Sequence, residues 1–162
     1  AQGSKGFPNL NDDDWLWGGK AEQIQQTITH GIRFASDTDT RVSEMPAFGD
    51  VITGDQIQQV SAYVASLSGP VSDQALVAPG AKVFAENCVA CHGDNAKGNK
   101  ELGAPDLTDP HYLYGRDLQT IYRTVYDGRK GHMPTWESRI SEVDRKILTL
   151  YVLDLRQAKA GQ

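Results

Sequence analysis

The chain has 162 residues and a formal net charge of −5 at pH 7, a length that suffices for one ordinary domain or two small ones. Its acidic balance argues against a nucleic-acid partner, which would favour a basic face, and it fits docking to basic protein surfaces. No run of about 18 apolar residues occurs, so we expect no membrane anchor within these residues.

Helical periodicity dominates the chain, and no convincing run of strands is visible, so the expected class is all-α. The predicted helices cover residues 20–30, 54–67, 79–87, 117–126 and 141–157. Pro79 lies in the first turn of the third helix, where a missing N–H costs little. Gly128 is placed to end the fourth helix. Ser141 is the predicted N-cap of the fifth, with Asp144 three residues later.

The third helix leads into Cys88-Val89-Ala90-Cys91-His92, which contains both cysteines of the chain. C-x-x-C-H is the attachment signature of a c-type haem. Cys88 and Cys91, three residues apart on a helical turn, reach both vinyl groups of haem, and His92 offers a nitrogen to the iron. A zinc site would need four ligands, and no second cysteine pair exists. A thioredoxin-like dithiol would follow a strand in a βαβ pattern, and none is visible. We therefore predict covalent haem c with His92 as proximal ligand.

The chain also contains an internal repeat. The matched stretches are Pro8-Asn9-Leu10 with Pro105-Asp106-Leu107, Trp15-Leu16-Trp17-Gly18 with Tyr112-Leu113-Tyr114-Gly115, and Met45-Pro46-Ala47-Phe48 with Met133-Pro134-Thr135-Trp136. The first copy has no C-x-x-C-H and no opening helix, and it carries an extra segment between Gly31 and Met45. We predict two tandem units: an incomplete one at 1–69, a linker at 70–78 and a complete mono-haem unit at 79–162.

The second axial ligand is predicted to be Met133, in the loop before the last helix. Thioether sulfur favours ferrous iron, so His/Met ligation raises the reduction potential. Both methionines of the chain lie in a Met-Pro-Ala/Thr-aromatic sequence, and Pro134 can stiffen the loop. The alternatives are a packing role for Met133 and ligation by the adjacent His132.

The C-x-x-C-H motif, the Ala104-Pro105-Asp106-Leu107 loop and Met133-Pro134 resemble class I cytochromes c. In that family the loop proline presents its carbonyl to the proximal histidine, which implies that Pro105 orients His92. The resemblance also implies a cytochrome c fold, in which Gly80 and Phe84 of the opening helix contact Tyr151 of the closing helix.

A closer resemblance, over nearly the whole chain, is to the di-haem subunit III of cbb3-type cytochrome c oxidases. It rests on 80–93, on Trp15-Leu16-Trp17-Gly18-Gly19 and on Arg41-Val42-Ser43-Glu44-Met45-Pro46-Ala47-Phe48. That family has a membrane anchor followed by two periplasmic cytochrome c domains. The resemblance implies a relay of electrons from a soluble cytochrome c or cupredoxin donor toward the oxygen-reducing subunit, with other oxidase subunits as partners.

The chain departs from that family pattern in its first half, which has neither the anchor nor the first haem motif. Met45 corresponds to the first domain's distal ligand but has no proximal histidine in its own copy. The helix at 54–67 is likewise expected to lack a partner. One hypothesis is a domain-swapped or cross-ligated arrangement, in which Met45 replaces Met133 on the single haem. Arg129 is a candidate for haem propionate contacts, against the alternative of a solvated basic turn.

Three function classes follow from these features. The first is an electron-transfer module of a terminal oxidase, which the repeat pattern favours. The second is a cytochrome subunit of another periplasmic oxidoreductase, and the third is a haem sensor or peroxidase-like protein with a labile distal site. With both axial positions filled, iron changes oxidation state without binding substrate. We therefore predict no catalytic residue and expect the chain itself not to be an enzyme.

Overall fold

A computed structural model describes residues 1–160, with side chains described through residue 155. The described residues form six α-helices, a short 3-10 helix at Gln74–Leu76 and isolated β-bridges, without a named strand. The helices are α1 Ala21–His30, α2 Gly54–Leu67, α3 Val77–Asn87, α4 Val89–His92, α5 Leu118–Asp127 and α6 Glu142–Ala160. The all-α prediction is confirmed. Gly161 and Gln162, the end of the predicted second unit, lie outside the described residues.

The helix starts follow the capping residues identified in the sequence. The Asp117 carboxylate accepts a hydrogen bond from the Thr120 N–H (2.9 Å) at the start of α5, which ends at Gly128 with φ of 71°. The Ser141 hydroxyl oxygen accepts one from the Asp144 N–H (3.1 Å) before α6. These bonds satisfy N–H groups that have no partner inside the helix.

The chain divides into two compact units that do not follow the order of the repeats. The motif unit is Glu44–Arg129, and the split unit combines Ala1–Ser43 with Lys130–Gln162. The first repeat therefore contributes α2 to the motif unit, and the second contributes α6 to the split unit. This division differs from the predicted boundaries at 69 and 79. The two closing helices carry matching apolar patterns, so the pattern alone does not determine which of them packs on α3.

In the motif unit, α2 packs against α3 and α5. The core consists of the buried side chains of Ile57, Val60, Val64, Val83, Phe84, Ala96, Ile121 and Val125. A Cβ on Gly80 would lie 2.0 Å from the Gln59 carbonyl oxygen, so α3 approaches the backbone of α2 closely. The Phe84 ring packs on Tyr63 with 5.2 Å between centroids.

Two sequence-based expectations are corrected by this packing. The helix at 54–67 does have partners, since α3 and α5 cover it. Gly80 and Phe84 contact residues of α2, with Tyr63 in the place expected for Tyr151. Tyr151 is 58% exposed. The expected pairing of an opening and a closing helix exists, but the closing helix comes from the other repeat.

In the split unit, α1 packs against α6. Ile32 and Met133 exchange backbone hydrogen bonds of 2.9 and 3.0 Å, which join the end of α1 to the loop before α6. The Arg145 guanidinium donates to the carbonyls of Glu137 and Ile140, each at 2.7 Å. Over the part of the chain that the structure describes, every helix is too short or too polar to span a membrane.

Candidate functional site

Cys91 and His92 lie on the single helical turn α4, and Cys88 is the N-cap residue directly before it. The N–H groups of Cys91 and His92 both donate to the Cys88 carbonyl, at 3.2 and 3.0 Å. Gly93, with φ of 75°, ends the turn. Both thiols are free and half-buried. The turn therefore holds two thiols and an imidazole in the order that thioether attachment and iron ligation require.

The imidazole of His92 is oriented by a backbone carbonyl. His92 is 8% exposed, and its Nδ1–H donates to the Pro105 carbonyl oxygen at 3.1 Å. This bond assigns the proton to Nδ1 and leaves Nε2 free as a ligand. Burial lowers the pKa of His92, while the bond to Pro105 raises it, with a net lowering. A neutral imidazole is the form that binds iron.

The loop that carries Pro105 is held close to the motif by the absence of a side chain at Gly98 and by two hydrogen bonds. Gly98 has φ of 76°, and a Cβ there would lie 2.3 Å from the Ala104 carbonyl oxygen. The Gly98 N–H donates to the His92 carbonyl at 2.8 Å, and the Tyr112 hydroxyl donates to the Leu107 carbonyl at 2.8 Å. Substituting Gly98 would therefore displace the carbonyl that orients His92.

The Cys88 thiol is poorly suited to nucleophilic redox chemistry in this environment. Burial and the neighbouring Cys91 raise the pKa of the Cys88 thiol to about 11. Low-pKa thiolates mark reactive dithiols, and Cys88 has the opposite property. This property favours covalent haem attachment over a redox-active dithiol as the role of Cys88 and Cys91.

Met45 lies in the same unit as His92. Its backbone exchanges hydrogen bonds with Arg129 at 3.1 and 3.0 Å, and a Cβ on Gly128 would lie 2.5 Å from its carbonyl oxygen. Its side chain packs against the same apolar core that Cys88 and Val89 contact. Met45 is thus clamped at the C-terminal end of α5, within the unit that carries the motif.

Met133 and His132, the other two ligand candidates, belong to the split unit. Met133 is bonded through its backbone to Ile32. His132 is exposed, and its ring lies 5.6 Å from that of Phe34. The structure groups Met45 with His92 and places Met133 in a different compact unit.

Arg129 is partly buried, and one N–H group of its guanidinium lacks a hydrogen-bond acceptor among the described residues. Its guanidinium lies 4.3 Å from the centroid of the Tyr114 ring, and Nη2 donates to the Thr124 hydroxyl at 2.5 Å. Its Nε is buried and has no hydrogen-bond partner among the described residues. Buried donors are usually paired, so this Nε is available to an anionic or polar group. A haem propionate fits that requirement.

The roles of Tyr114 and Thr124 were missed in the sequence, although the repeat contains a signal for them. In the split unit Arg41 lies 5.2 Å from the Trp17 ring centroid and donates to the Thr27 hydroxyl. Trp17 matches Tyr114 and Thr27 matches Thr124 in the repeat. Arg41 and Arg129 each lie four residues before the methionine of a Met-Pro sequence, so the repeat pairs the two arginines as well.

Comparison with known proteins identifies the family of the chain. The family model for cytochrome c oxidase, cbb3-type, subunit III, matches residues 1–64 and 75–152. The chain is 51% identical to a cbb3-type cytochrome c oxidase subunit FixP of Sinorhizobium medicae, over 96% of this chain and 54% of the relative. It is 53% identical to a FixP of a Bradyrhizobium species, over 98% of this chain and 56% of the relative.

A third relative is the cbb3-type cytochrome c oxidase subunit CcoP of Cereibacter sphaeroides, 49% identical over 94% of this chain and 53% of the relative. The chain thus spans about half the length of the curated relatives it matches. The family match covers the C-x-x-C-H motif, both Met-Pro sequences and four of the six helices in full. On these grounds the chain belongs to the family of subunit III of cbb3-type cytochrome c oxidases.

Proposed function

We propose that this chain relays single electrons through one covalently bound haem c, held by the motif unit, toward the catalytic subunit of a cbb3-type oxidase. The observation that carries the proposal is the buried His92 imidazole, fixed by the Pro105 carbonyl directly after two free thiols. The relatives support it, because they are named as subunits of that oxidase.

Each residue of the site has one task in this proposal. Cys88 and Cys91 anchor the haem through thioether bonds, and His92 binds the iron through Nε2. Pro105 holds the Nδ1–H, which fixes the ring and increases the basicity of the ligating nitrogen. The bound haem supplies one-electron redox chemistry. The apolar core beside Cys88 keeps water away from the site.

Met45 is proposed as the residue that, with His92, would hold the haem iron. Its backbone is clamped by Arg129, and its side chain packs on the core that Cys88 also contacts. A thioether at this position stabilises ferrous iron and raises the potential. It also closes the site to exogenous ligands, which suits electron transfer better than sensing. The sequence-based prediction of Met133 is the alternative that the experiment below distinguishes.

Arg129 is proposed to bind a haem propionate through its unpartnered Nε. The Tyr114 ring and the Thr124 hydroxyl hold the guanidinium in place. A fixed positive charge beside the ring favours the less positive, ferrous state of the iron. Arg129 therefore contributes to the potential as well as to haem binding.

We further propose the surroundings of the chain from its family. The partners are the other subunits of a membrane-bound oxidase and a soluble cytochrome c or cupredoxin donor, on the periplasmic side of the bacterial inner membrane. The chain passes electrons and has no catalytic residue of its own. Its net charge of −5 suits a donor with a basic docking face.

The test begins with the chain matured in a host that attaches c-type haem. Intact-mass measurement is expected to show an increment of one haem, and the absence of any increment would remove the proposed function. The ferric protein is then examined for the near-infrared sulfur-to-iron charge-transfer band in Met45→Ala and Met133→Ala. We expect Met45→Ala to lose the band and its reduced form to bind carbon monoxide, while Met133→Ala keeps the band. The reverse pattern would identify Met133, and not Met45, as the iron ligand.

A further inference from the structure

The segment between Gly31 and Met45, which the second repeat lacks, is not used by the proposed electron-transfer site. In the split unit this segment, the end of α1 and the loop after Pro134 line a cavity of about 260 Å³. The lining includes His30, Asp37, Asp39 and Glu137. One imidazole and three carboxyl groups therefore face a space with room for an ion and several waters.

Three of these side chains converge closely. One ligand atom each from His30, Asp37 and Asp39 lies within 4.8 Å of the others. His30 Nδ1 is 3.1 Å from Asp37 Oδ2, and these side chains are 23% and 10% exposed. Ligands that lie about 2.0–2.2 Å from a shared ion are about 3–4.4 Å from each other. The three groups need little movement to meet one cation.

The surrounding backbone prepares these groups for a ligand. The Asp39 N–H donates to Asp37 Oδ1 at 2.8 Å, which leaves Oδ2 directed at His30. Burial raises the pKa of Asp37, but this N–H, His30 and Thr135 outweigh it and hold the carboxyl below its ordinary value. Asp37 is thus a carboxylate at neutral pH. Asp39 is exposed and free to turn toward an ion.

The donor set selects a class of cation. Ca²⁺ and Mg²⁺ prefer oxygen ligands alone, whereas imidazole nitrogen suits Zn²⁺ and other first-row divalent metals. One imidazole and two carboxylates are ligand types that zinc accepts, and together they supply three protein ligands with the remaining positions open to water. The insertion supplies both aspartates. The matched position of the second repeat has Asp127 in place of His30.

We propose that His30, Asp37 and Asp39 form a binding site for a divalent transition-metal cation, with Zn²⁺ as the preferred ion. The cation joins the insertion to the C-terminal end of α1, where His30 lies. It therefore stabilises the split unit and is independent of the haem on the motif unit.

The test uses the haem-loaded full chain, freed of metal with a chelator and titrated with Zn²⁺ alone in a calorimeter at neutral pH. We expect one equivalent to bind, and zinc X-ray absorption to show mixed nitrogen and oxygen ligands. Asp39→Asn, at an exposed position, is expected to weaken binding at least tenfold. Asp13→Asn removes the same charge from another exposed residue of the split unit and is expected to leave the affinity unchanged.

His111→Gln removes the other histidine that pairs with an aspartate, Asp109, and controls for binding at the surface. Equal weakening by Asp39→Asn and Asp13→Asn would show that binding depends only on the overall negative charge, and this result would overturn the proposed site. Loss of binding in His111→Gln alone would overturn it as well, as would the absence of saturable binding to the unsubstituted chain. Far-ultraviolet circular dichroism of each variant confirms that its helices, α1 and α6 of the split unit included, are folded.

Discussion

At the scale of single residues, the candidate site depends on the hydrogen bonds of two side chains, those of His92 and Arg129. The Pro105 carbonyl decides which nitrogen of His92 is free. Arg129 has one bond to Thr124 and a ring contact with Tyr114, while its Nε remains unpartnered among the described residues. Such a donor is costly to bury, by about 1–3 kcal/mol, unless an acceptor arrives. The proposed propionate removes that cost.

Arg129→Gln is expected to lower the reduction potential of the haem-loaded chain. Removing a positive charge near the ring stabilises the oxidised state, because that state carries more positive charge. A charge interaction of about 1–2 kcal/mol at an effective dielectric constant of about 20 corresponds to about 40–90 mV for one electron. Potentiometric titration measures the shift.

Arg123→Gln is the matched control, since Arg123 is an exposed arginine of α5 in the same unit. It removes the same charge and is expected to move the potential much less, because solvent screens it. Equal shifts in the two variants would mean that Arg129 acts through net charge and not through a propionate contact.

At the scale of the helices, the contact of α2 with α3 supports the motif. Gly80 has no room for a side chain, because a Cβ would lie 2.0 Å from the Gln59 carbonyl oxygen and 2.8 Å from the Tyr63 Cβ. The aromatic contact of Phe84 with Tyr63 continues the same interface. Since α3 leads directly into Cys88, a displaced α3 would move the attachment turn.

Gly80→Ala is expected to destabilise the haem-loaded chain by about 1–3 kcal/mol, the usual cost of overpacking. The clash involves backbone atoms that cannot rotate away, so it outweighs the gain of about 1 kcal/mol that alanine brings inside a helix. Urea unfolding followed by circular dichroism measures the difference.

Gly54→Ala is the control for that experiment, because Gly54 lies at the start of α2 and a Cβ there would meet the Tyr122 hydroxyl at 3.5 Å, an ordinary contact. We expect it to be neutral or stabilising. A Gly80→Ala variant as stable as Gly54→Ala would show that α3 can move away from α2 at little cost.

At the scale of the whole molecule, each compact unit combines helices from both repeats. The motif unit joins α2 of the first repeat to α3, α4 and α5 of the second. The helix α6, which the repeat pattern assigns to the haem-binding half, belongs to the split unit. The compact unit that carries the C-x-x-C-H motif is therefore 44–129, and we propose it as the electron-transfer unit in place of the predicted 79–162.

A chain of residues 44–129 is expected to mature with haem and to show the sulfur-to-iron band, because it contains His92, Met45 and the whole core of the motif unit. A chain of residues 79–162 lacks α2 and Met45, so we expect it to be less stable and to show no such band. Absorption spectroscopy of the two purified chains decides between them. A band in 79–162 alone would support the sequence-based boundary and Met133.

The local chemistry of this protein was readable from its sequence. The C-x-x-C-H motif predicts thioether and imidazole attachment at neighbouring positions. The caps at Asp117 and Ser141 use side chains within three residues of the N–H groups they satisfy. Helix positions and the all-α class follow from local periodicity. The family resemblance also depends on contiguous motifs, so it was visible without coordinates.

Helix partners and the grouping of Met45 with His92 were decided by tertiary packing. A pattern of apolar residues states which face of a helix is buried, but not which helix covers it. Because α2 and α6 repeat the same pattern, with Val60 and Tyr63 matching Leu148 and Tyr151, either one could pair with α3 on local grounds. In the folded chain α2 makes this contact and brings the neighbouring Met45 into the unit of His92, because pairing depends on contacts between residues far apart in the chain.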